Sequence, residues 1–472
     1  MIMNDYLKKN NMPFNSDFLE EVNIAGSSVD VQNNDIAFIS SKDDERTRKY
    51  IKDSIDRNAS YVFVDCDFGI DNPKVITLNN FDEVYREIVS LRYPAYKNKS
   101  FHAVTGTNGK TTVASYIKTL MGGETVEFIG TTQAKLLDEV THMPGLTTPE
   151  FIDIARIASK ADSKERFILE VSSHSLVKER LGDIFFDVAS FTNLSNDHLD
   201  FHKDLEDYFN AKCLLFEKSK SKFGVITSGF WGDKLMERID IDYVSVGFTK
   251  EDFASFYPTK WEPHSIEGNL FIDGKKEKLI LPIYGAGAIE NFLVACVNVY
   301  LVENSTDMIL ENVKNLKNPK GRYQPLPKSE GSIIIDYAHT PEALISTIEF
   351  TKRFHKEVVV VFGCGGDRDP TKRELMGRAA SEADKIILTS DNPRNEDPQE
   401  IINDILKGII NKKDVEIVVD RSEAIAKAIN ENQSEEVILI LGRGHESHQE
   451  IKGQFIDFDD YKVALSVLEN LK

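Results

Sequence analysis

Cysteine is scarce in this sequence of 472 residues. The chain has only four cysteines, Cys66, Cys213, Cys296 and Cys364. They lie far apart, and no two of them form a CxxC pair. Disulfide frameworks and cysteine-ligated zinc sites depend on such close spacings, so the sequence indicates neither of them. We therefore expect a reducing compartment, the cytoplasm, for this protein.

Basic residues and long apolar runs are also in short supply. The chain has 57 lysines and arginines against 77 aspartates and glutamates, a formal net charge of -20. General nucleic-acid binders and anionic-membrane binders need basic surface, so we expect neither partner. No apolar run is long enough to span a bilayer, and Met1 to Lys9 lack the apolar core of a signal peptide. A local cluster of arginines could still bind an anionic substrate.

The sequence does have a repeated alternation of strand-like and helix-like segments. Its length suggests about three domains at roughly 150 residues each. Polar segments with a proline, at 92–99 and 315–321, separate the stretches of alternation. The sequence thus predicts an α/β fold with parallel sheets. The predicted domains are an N-terminal domain over 1–97, a central domain over 98–318 and a C-terminal domain over 319–472.

Short apolar runs locate the predicted strands. The runs lie at 35–40, 60–65, 101–105, 166–171, 187–192, 223–227, 333–336, 358–362, 385–388, 415–419 and 437–441. Helical patterns separate most of them, as in βαβ units. The pair Asp273-Gly274 predicts a tight hairpin turn in an antiparallel excursion of the central domain.

A glycine-containing loop follows the run at 101–105. It reads Gly106-Thr107-Asn108-Gly109-Lys110-Thr111-Thr112. Glycines let backbone N–H groups approach phosphate oxygens, the following helix N-terminus adds partial positive charge, and Lys110 adds a full one. Thr111 offers a hydroxyl to Mg²⁺. The loop is shorter than the GxxxxGK[ST] form, because Val104 stands at its first glycine. A tight structural turn is the alternative; we predict phosphate binding.

Glu170 lies at the end of the run at 166–171. Carboxylates at strand ends of parallel sheets face the ligand crevice, and Mg²⁺ prefers oxygen ligands, so Glu170 is a candidate metal ligand. His198 follows another strand run and would be an unusual Mg²⁺ ligand on chemistry alone. A surface or capping role is the alternative for both. Lys212 has the position of a solvated helix lysine, and nothing in its spacing marks it.

Three C-terminal strand runs lead directly into polar loops that contain glycine or proline. Because the carboxyl ends of parallel strands meet at one edge of a sheet, we expect these loops to converge on one crevice. The crevice would hold Arg368, Arg394, Arg443, Asp367, Asp391 and Glu446. Arginine binds carboxylates bidentately and glutamate pairs with ammonium, so a substrate with carboxylates and an amine would fit. Structural ion pairs at the loop bases are the alternative.

Several longer motifs resemble the Mur ligase family in residue type, order and spacing. They are Thr105 to Thr112, Gly130-Thr131-Thr132, Thr147-Thr148-Pro149-Glu150, Glu170-Val171-Ser172-Ser173-His174, Thr192 to Asp200, Ala211-Lys212, Gly321-Arg322, Asp336-Tyr337-Ala338-His339 and the three C-terminal loops. As a set these motifs are highly specific. Within the family they most resemble the members that add the third amino acid of the peptidoglycan stem.

The resemblance implies a fold and a reaction. The fold is a small N-terminal α/β domain similar to UDP-sugar-binding domains, a central P-loop ATPase-like domain and a C-terminal Rossmann-like domain that binds an amino acid. The reaction is an ATP-dependent, ADP-forming ligation with ATP and Mg²⁺. ATP phosphorylates an acceptor carboxylate to an acyl phosphate, and an incoming amine attacks it to form an amide. The implied acceptor is UDP-MurNAc-L-Ala-D-Glu. We expect a monomer.

The resemblance also assigns roles to individual residues. The implied catalytic and metal residues are Lys110, Glu170, His198, Thr111 and Lys212, the last as a carbamate. The implied ATP contacts are the loop from Gly106 to Thr112 with Asn291, Arg322 and Asp336. The implied acceptor contacts are Ser28, Thr147, Thr148, Ser173 and Arg180. The implied amino-acid contacts are Arg368, Asp391, Asn392, Pro393, Arg394, Gly442 and Glu446.

The loop Asp391-Asn392-Pro393-Arg394 implies meso-diaminopimelate as the amino acid. Its arginine would grip the distal carboxylate that lysine lacks, so a lysine-adding enzyme is the less favoured expectation. The N-terminal domain departs from the family pattern, because Ser27-Ser28-Val29 stands where members have Asp-Ser-Arg, and Val29 cannot make an arginine contact. Two further departures from the family pattern lie outside this domain. Gly287-Ala288 stands where members have an aromatic residue or histidine followed by asparagine, and Arg443 stands where they usually have lysine.

These departures leave alternatives. One is a paralogue that joins an amino acid to a different carboxylate acceptor. Another is a non-catalytic member, against which the intact Lys110, Glu170, His198 and Lys212 argue. A P-loop NTPase switch is a third, and it has no use for an amino-acid crevice.

Overall fold

The structure is a computed structural model that describes residues 3–40, 44–131, 146–326, 333–410, 414–432 and 436–471. The chain forms two compact units. The first consists of Met1–Ala103 and Glu124–Asp187, and the second of Val104–Gly123 and Val188–Lys472. The predicted boundaries at 97/98 and 318/319 remain predictions. Among the described helices, none has the length and apolar character needed to cross a membrane.

The first unit begins with a small parallel sheet covered by helices. The elements are α1 (Met3–Lys9), α2 (Ser16–Glu21), β1 (Ile24–Ala25), β2 (Ile36–Ile39), α3 (Asp44–Asp56), β3 (Tyr61–Val64), β4 (Val75–Thr77) and α4 (Phe81–Arg92). The four strands pair in the order β1-β2-β3-β4, all parallel. Strand β2 is buried along its whole length, which suits its continuous apolar run. The strands predicted at 35–40 and 60–65 are confirmed.

The next segment passes from the first unit to the second and back. Strand β5 (Ser100–Thr105) leads to α5 (Lys110–Leu120), which belongs to the second unit. The first unit then contains β6 (Val126–Ile129), α6 (Phe151–Lys160), β7 (Arg166–Glu170) and α7 (Ser173–Val177). Strands β6 and β7 are parallel, and the N–H of Ser100 donates to the carbonyl of Glu165 just before β7. Strand β8 (Phe186–Phe191) crosses back into the second unit.

The second unit continues with parallel strands followed by an antiparallel extension. Its next elements are α8 (Leu205–Cys213), β9 (Ser221–Thr227), α9 (Phe230–Met236), β10 (Asp242–Gly247), β11 (Ala254–Glu262), β12 (Ser265–Ile272), β13 (Lys275–Leu281), α10 (Ala288–Glu303) and α11 (Asp307–Asn312). Strands β9, β10 and β11 pair in parallel, whereas β11, β12 and β13 pair antiparallel. The hairpin turn predicted at Asp273-Gly274 is confirmed, with φ of +48° and +72°.

The last part of the second unit is a six-stranded sheet between two helical layers. Its elements are β14 (Gln324–Pro325), β15 (Ile333–Asp336), α12 (Pro341–Lys352), β16 (Glu357–Phe362), α13 (Thr371–Ala380), β17 (Lys385–Leu388), α14 (Pro398–Gly408), β18 (Val415–Ile417), α15 (Arg421–Asn430), β19 (Glu436–Leu441), β20 (His448–Ile451), β21 (Gln454–Asp457) and α16 (Asp460–Asn470). The order is β14-β15-β19-β16-β17-β18, and all these strands except β14 run parallel.

This strand order positions the three polar loops of the C-terminal sheet. Strand β16 lies between β17 and β19, so the loops that leave the carboxyl ends of these three strands are direct neighbours. Apolar side chains bury both faces of the sheet, in two separate core clusters. The predicted convergence of the loops on one sheet edge is confirmed, because parallel strands with helical connections must end on the same side.

Candidate active site

The phosphate loop joins β5 to α5 in a conformation that requires its glycines. Gly106 and Gly109 have φ of +149° and +90°, a region that L side chains rarely adopt. A Cβ atom at Gly106 would collide with the hydroxyl of Thr192, and one at Gly109 with the side-chain oxygen of Asn291. The Nζ of Lys110 donates to the carbonyls of Gly106 at 2.8 Å and of Thr107 at 2.9 Å. The Lys110 side chain thus folds back and bonds to the backbone of the loop that precedes it.

The residues after β8 support the loop from the side. The N–H of Thr107 donates to the carbonyl of Asn193 at 2.9 Å. The N–H of Asn108 donates to the side-chain oxygen of Asn193, also at 2.9 Å. The hydroxyl of Thr192 donates to the carbonyl of Asn108 at 2.6 Å. These bonds fix the loop geometry, and Asn291 approaches it from α10.

Lys212 is the candidate residue that its local sequence did not mark. Its side chain is almost fully buried on α8, and its Nζ lies 4.4 Å from the centre of the Tyr208 ring. Burial, with the charge of Lys110 in addition, holds the pKa of the Lys212 ammonium well below its usual range, although Asp197 acts in the opposite direction. A lowered pKa favours the neutral amine, which is the form of lysine that can react with carbon dioxide to give a carbamate.

His198 contacts Tyr208, the same ring that lies against Lys212. Its backbone has φ of +57°, which is uncommon outside glycine. The imidazole meets the Tyr208 ring edge-on at 5.9 Å, and its Nε2 lies 3.6 Å from the Oδ2 of Asp197. The ring is therefore positioned by both backbone and side-chain contacts.

Asp197 connects this region to the C-terminal part of the second unit. The Nζ of Lys372 donates to its Oδ1 at 3.0 Å, and the Nε2 of His339 lies 3.4 Å from its Oδ2. Burial alone would raise the pKa of Asp197. The His339 hydrogen bond and the charges of His198 and Lys372 outweigh burial and hold that pKa well below its usual range. Asp197 is thus an anion that lies beside His198 and also contacts His339 and Lys372 of the C-terminal part.

Glu170 lies in the first unit, at the end of β7. Its carboxylate accepts hydrogen bonds from the N–H of Thr131 at 3.0 Å and from the Thr131 hydroxyl at 2.9 Å. A Cβ atom at Gly130 would collide with this carboxylate. The motif Gly130-Thr131 therefore orients Glu170; Thr132 lies outside the described residues.

The donors present suit Mg²⁺ in chemical type. The Glu170 carboxylate and the Thr111 hydroxyl are oxygen ligands, and a carbamate on Lys212 would supply more oxygen. Among the described residues, no group of three or more histidine, cysteine, aspartate or glutamate side chains is arranged for a metal ion.

Arg322 and Asp336 lie near the phosphate loop, as predicted for nucleotide contacts. The Nη2 of Arg322 donates to the Thr111 hydroxyl at 3.3 Å, and its guanidinium lies 4.2 Å from the Tyr337 ring centre. Asp336 accepts the N–H groups of Tyr323 at 2.5 Å and Ala338 at 2.8 Å. Burial raises the pKa of Asp336, with Arg322 acting against it. Both side chains are held in defined orientations.

The candidate amino-acid residues come together at the edge of the C-terminal sheet. The side-chain amide of Asn392 donates to the Oε2 of Glu446 at 2.9 Å. Burial and the nearby Asp391 charge raise the pKa of Glu446, whereas Arg443 lowers it. A Cβ atom at Gly442 would come within 2.9 Å of Asp391. Pro393 and Arg394 continue the same loop. The structure thus brings the second and third loops into direct contact.

Two of the predicted crevice arginines have different surroundings from those expected. Arg443 is fully buried and donates to the side-chain oxygen of Asn392 at 3.0 Å and to the carbonyl of His448 at 2.6 Å. Its Nη1 and Nη2 atoms bond to protein acceptors, whereas its Nε lies 4.0 Å from Asp460 and makes no hydrogen bond within the described part of the chain. Arg368 is about half exposed and lies 3.8 Å from the carboxylate of Asp200. Arg443 lies 3.6 Å from Glu446, among the predicted crevice residues, and a direct contact between Arg443 and a substrate stays a prediction.

The candidate acceptor residues lie in the first unit. The Thr148 hydroxyl donates to the carbonyl of Glu170 at 2.8 Å, which ties the Thr147-Thr148 turn to the end of β7. Ser173 is buried at the start of α7, and the Nε of Arg180 lies 3.0 Å from a carboxylate oxygen of Glu150. Ser28 is buried, whereas its neighbour Val29 is 47% exposed.

The loop-after-strand pattern identified most of this site, but several contributing residues escaped it. Thr131 contacts the predicted site residue Glu170, and Lys372 and His339 contact Asp197, the neighbour of the predicted His198. None of these contributing residues belonged to the predicted set. Glu450, described further below, is another. His339 and Thr131 stood inside the quoted motifs, which was an available signal. Lys372 had no such signal, because its role depends on packing against Asp197.

The second unit combines a glycine loop of the phosphate-binding type with a cluster of charged and amide side chains at the edge of its C-terminal sheet, and sequence comparisons identify the family. A family profile described as "Mur ligase middle domain" matches residues 104–299, and one described as "Mur ligase, glutamate ligase domain" matches residues 321–444. Together they match more than half of the chain. The chain belongs to the Mur ligase family of ATP-dependent amide-forming ligases, as predicted.

Individual relatives match over most of the chain. The UDP-N-acetylmuramoyl-L-alanyl-D-glutamate--2,6-diaminopimelate ligase of Rickettsia bellii (strain RML369-C) is 36% identical over 432 residues, which are 88% of this chain and 90% of that protein. The protein of the same name from Clostridioides difficile (strain 630) is 36% identical over 438 residues, 90% of each chain.

Solved structures agree on the fold. A structure of UDP-N-acetylmuramoyl-L-alanyl-D-glutamate--2,6-diaminopimelate ligase is 27% identical and covers 95% of each chain, with a TM-score of 0.61. MurF ligase from Thermotoga maritima in complex with ADP is 16% identical, with a TM-score of 0.67 over 96% of this chain and 98% of that one. The predicted three-domain α/β fold class is confirmed.

Proposed function

We propose that this chain is the ATP-dependent ligase that adds meso-diaminopimelate to UDP-MurNAc-L-Ala-D-Glu in peptidoglycan precursor synthesis. The observation that carries the proposal is the hydrogen-bonded cluster of Arg394, Asn392 and Glu446, which belongs to the same compact unit as the phosphate loop. Relatives that carry this activity in their names match about nine tenths of the chain, which supports the same acceptor and the same amino acid.

The reaction has two steps. The γ-phosphoryl group of ATP passes to the terminal carboxylate of the acceptor, which gives an acyl phosphate and ADP. The amine then attacks the acyl carbon, the C–O bond to phosphate breaks, and an amide and phosphate result. Phosphoryl transfer is mainly a matter of positioning and charge neutralisation, which suits a loop of backbone N–H groups with Lys110.

The ATP and metal roles follow from the loop and its neighbours. Gly106, Thr107, Asn108, Gly109 and Thr112 would line the phosphates, with Asn291, Arg322 and Asp336 toward the rest of the nucleotide. Thr111, Glu170, His198 and Lys212, the last as a carbamate, would hold Mg²⁺. The ion supplies charge neutralisation at the phosphates when bound.

The acceptor would be held by residues of the first unit. Thr147, Thr148, Ser173, Arg180 and Ser28 are the proposed contacts. The bonds from Thr148 and Thr131 to Glu170 support a role for this turn near the phosphorylated carboxylate. The exposed Val29 leaves the uridine end of the acceptor without an arginine from this position, but the match of the relatives does not favour the paralogue alternative.

The amino-acid pocket favours diaminopimelate over lysine. Arg394 offers a planar fork of N–H donors to a distal carboxylate, and a carboxylate is the group that lysine lacks there. Glu446, oriented by Asn392, suits an ammonium group. Asp391, Pro393, Gly442 and Arg368 would complete the pocket. A lysine side chain would bring no carboxylate to the N–H groups of Arg394 that its bonds to Glu450 and Gly366 leave over.

We further propose that the protein acts in the cytoplasm as a monomer, without a nucleic-acid or membrane partner. The net charge of -20 and the wide spacing of the four cysteines in the sequence support this proposal. Light scattering after size-exclusion chromatography tests the monomer, for which a mass of 53.4 kDa is expected.

A ligation assay tests the proposed function. Purified protein is incubated with UDP-MurNAc-L-Ala-D-Glu, ATP and Mg²⁺, with either meso-diaminopimelate or L-lysine, and the tripeptide product is measured by mass spectrometry. We expect product with diaminopimelate and much less with lysine, and no product from Lys110→Ala. Preference for lysine, or no product with an acceptor that binds, would contradict the proposal.

A further inference from the structure

Arg394 is held in place by a strand that lies outside its own loop. Its backbone has φ of +50°, an uncommon conformation for a residue other than glycine. The N–H of Arg394 donates to the carbonyl of Glu450 at 3.1 Å, and the N–H of Lys452 donates to the carbonyl of Arg394 at 2.7 Å. Arg394 and Ile451 form an isolated parallel bridge. The end of β20 therefore stabilises the unusual backbone of the arginine.

The guanidinium group of Arg394 is fixed as well. Its Nε donates to the Oε2 of Glu450 at 2.9 Å, and its Nη1 donates to the carbonyl of Gly366 at 2.8 Å. A guanidinium has five N–H donors in one plane. Two bonds from different nitrogens define the orientation of that plane, and further N–H groups remain for a ligand. The donor fork is thus oriented before a carboxylate arrives.

Glu450 also connects the arginine to the ammonium side of the pocket. Its own N–H donates to the side-chain oxygen of Asn392 at 2.9 Å, and Asn392 in turn donates to Glu446. The Arg394 and Glu450 side chains are 20% and 28% exposed, so solvent screens their attraction less than at an open surface. One residue of β20 therefore contacts both Asn392 and Arg394 of the Asp391-to-Arg394 loop.

We propose that Glu450 is a specificity-determining positioning residue for the amino-acid substrate. It holds the Arg394 guanidinium in the plane that receives a distal carboxylate, so the substrate class is amino acids with a carboxylate at the far end. The inference rests on the proposed function, which assigns that carboxylate to Arg394. Glu450 acts through Arg394 and does not touch the reacting atoms.

Steady-state kinetics on three variants test the inference. For Glu450→Ala we expect KM for meso-diaminopimelate to rise about tenfold, the effect of losing one hydrogen bond to a charged group, with kcat little changed. For Glu450→Gln we expect KM within about threefold of wild type, because the amide oxygen still accepts a weaker bond from Nε. In an Arg394→Ala background, Glu450→Ala should change KM no further.

Asp457→Asn is the matched control. Asp457 is a second carboxylate of the same hairpin, is almost fully exposed and pairs with His448. We expect wild-type kinetics from it.

Several results would overturn the inference. These are an unchanged or lowered KM in Glu450→Ala, an equal rise in KM for lysine and diaminopimelate, or an additive effect in the Arg394→Ala background. Failure of the wild-type protein to add diaminopimelate would instead overturn the proposed function, so the two failures are distinguishable.

Discussion

The Nζ atom of Lys372 donates a hydrogen bond of 3.0 Å to the Oδ1 atom of Asp197. Lys372 lies on α13, next to the amino-acid loops, whereas Asp197 immediately precedes the candidate metal ligand His198. A second ionic contact, between Arg368 and Asp200 at 3.8 Å, joins the same two segments. The phosphate side and the amino-acid side of the second unit are therefore tied together by charged pairs.

We expect Lys372→Met to slow amide formation roughly a hundredfold, because a misplacement of about 1 Å between reacting groups can cost that much. The variant would leave the buried Asp197 carboxylate without its lysine partner. ATP binding should change little, since Lys372 does not contact the phosphate loop. Product formation and calorimetric ATP titration measure the two effects.

Lys407→Met is the control for Lys372→Met. Lys407 is an exposed lysine that pairs with Asp404 on the surface of α14. If both variants have the same activity, the Lys372–Asp197 pair has no role in the reaction.

Lys212 is expected to carry a carbamate in solution. The reason is the burial of its amine, which holds the pKa well below its usual range and so favours the neutral, reactive form. In ¹³C-bicarbonate buffer, a carbamate carbon resonance should be present in the wild type and absent from Lys212→Met, which should also lose ligation activity. Lys222→Met, at an exposed lysine of β9, should retain both. A wild-type spectrum without the resonance would refute the modification.

Asp153 should make the protein less stable as pH rises through the acidic range. Burial raises the pKa of Asp153 to about 7, despite its ion pair with Arg156. Between its unfolded pKa of 3.8 and about 7, the native state holds a proton that the unfolded state lacks. The free energy of unfolding then falls with pH, by at most about 1.4 kcal/mol per pH unit for this group.

Asp153→Asn tests this effect. The variant cannot ionise, so its stability relative to wild type should increase from pH 4 to 7 and stay constant above that range. Urea titrations followed by circular dichroism at several pH values measure the difference. The exposed Asp162→Asn should follow the wild type. A difference between Asp153→Asn and wild type that is independent of pH would show that Asp153 keeps an ordinary pKa.

Arg421 and Asp460 form a fully buried pair behind the amino-acid pocket. The Nε and Nη2 of Arg421 each donate to the carboxylate at 2.8 Å, and Nη2 also donates to the carbonyl of Leu441, the last residue of β19. We expect Arg421→Met to lower the free energy of unfolding by about 3–5 kcal/mol, because it leaves a buried charge unpaired.

The double variant Arg421→Met/Asp460→Leu should recover much of that loss, since apolar residues can replace a buried pair. Urea titration measures both. Arg378→Met, at an exposed arginine with a 3.8 Å contact to Glu374, should have little effect. If Arg421→Met lowers the free energy of unfolding as little as Arg378→Met does, other groups stabilise the Asp460 carboxylate.

Much of the fold and the site followed from local patterns. The run Phe101 to Thr105 ahead of Gly106 predicted the strand, the phosphate loop and the start of α5, because glycine spacing and a following lysine have direct backbone consequences. The hairpin at Asp273-Gly274 and the three loops after β16, β17 and β19 were predicted for similar reasons. Each depends on residues that are neighbours in sequence.

The burial, the pKa and the long-range contacts of several site residues could not be predicted from their neighbours in the sequence. Lys212 has an ordinary helix sequence around it, and its low pKa arises because Tyr208 and distant residues exclude water from its amine. Arg443 was expected in the crevice, and its complete burial depends on packing that the local sequence does not indicate. Glu450 has no motif at all, and its bond to Arg394 exists because β20 pairs with a loop 56 residues away.

The sequence by itself determined the family, the kind of reaction and which residue types are available at the phosphate loop and the strand ends. The tertiary structure decided which of these side chains are buried, which charges compensate one another, and how Arg394 is oriented. Secondary structure and motifs depend on short-range chemistry along the chain. Desolvation, ion pairing and the orientation of a donor fork depend on groups that only folding brings within a few ångströms of each other.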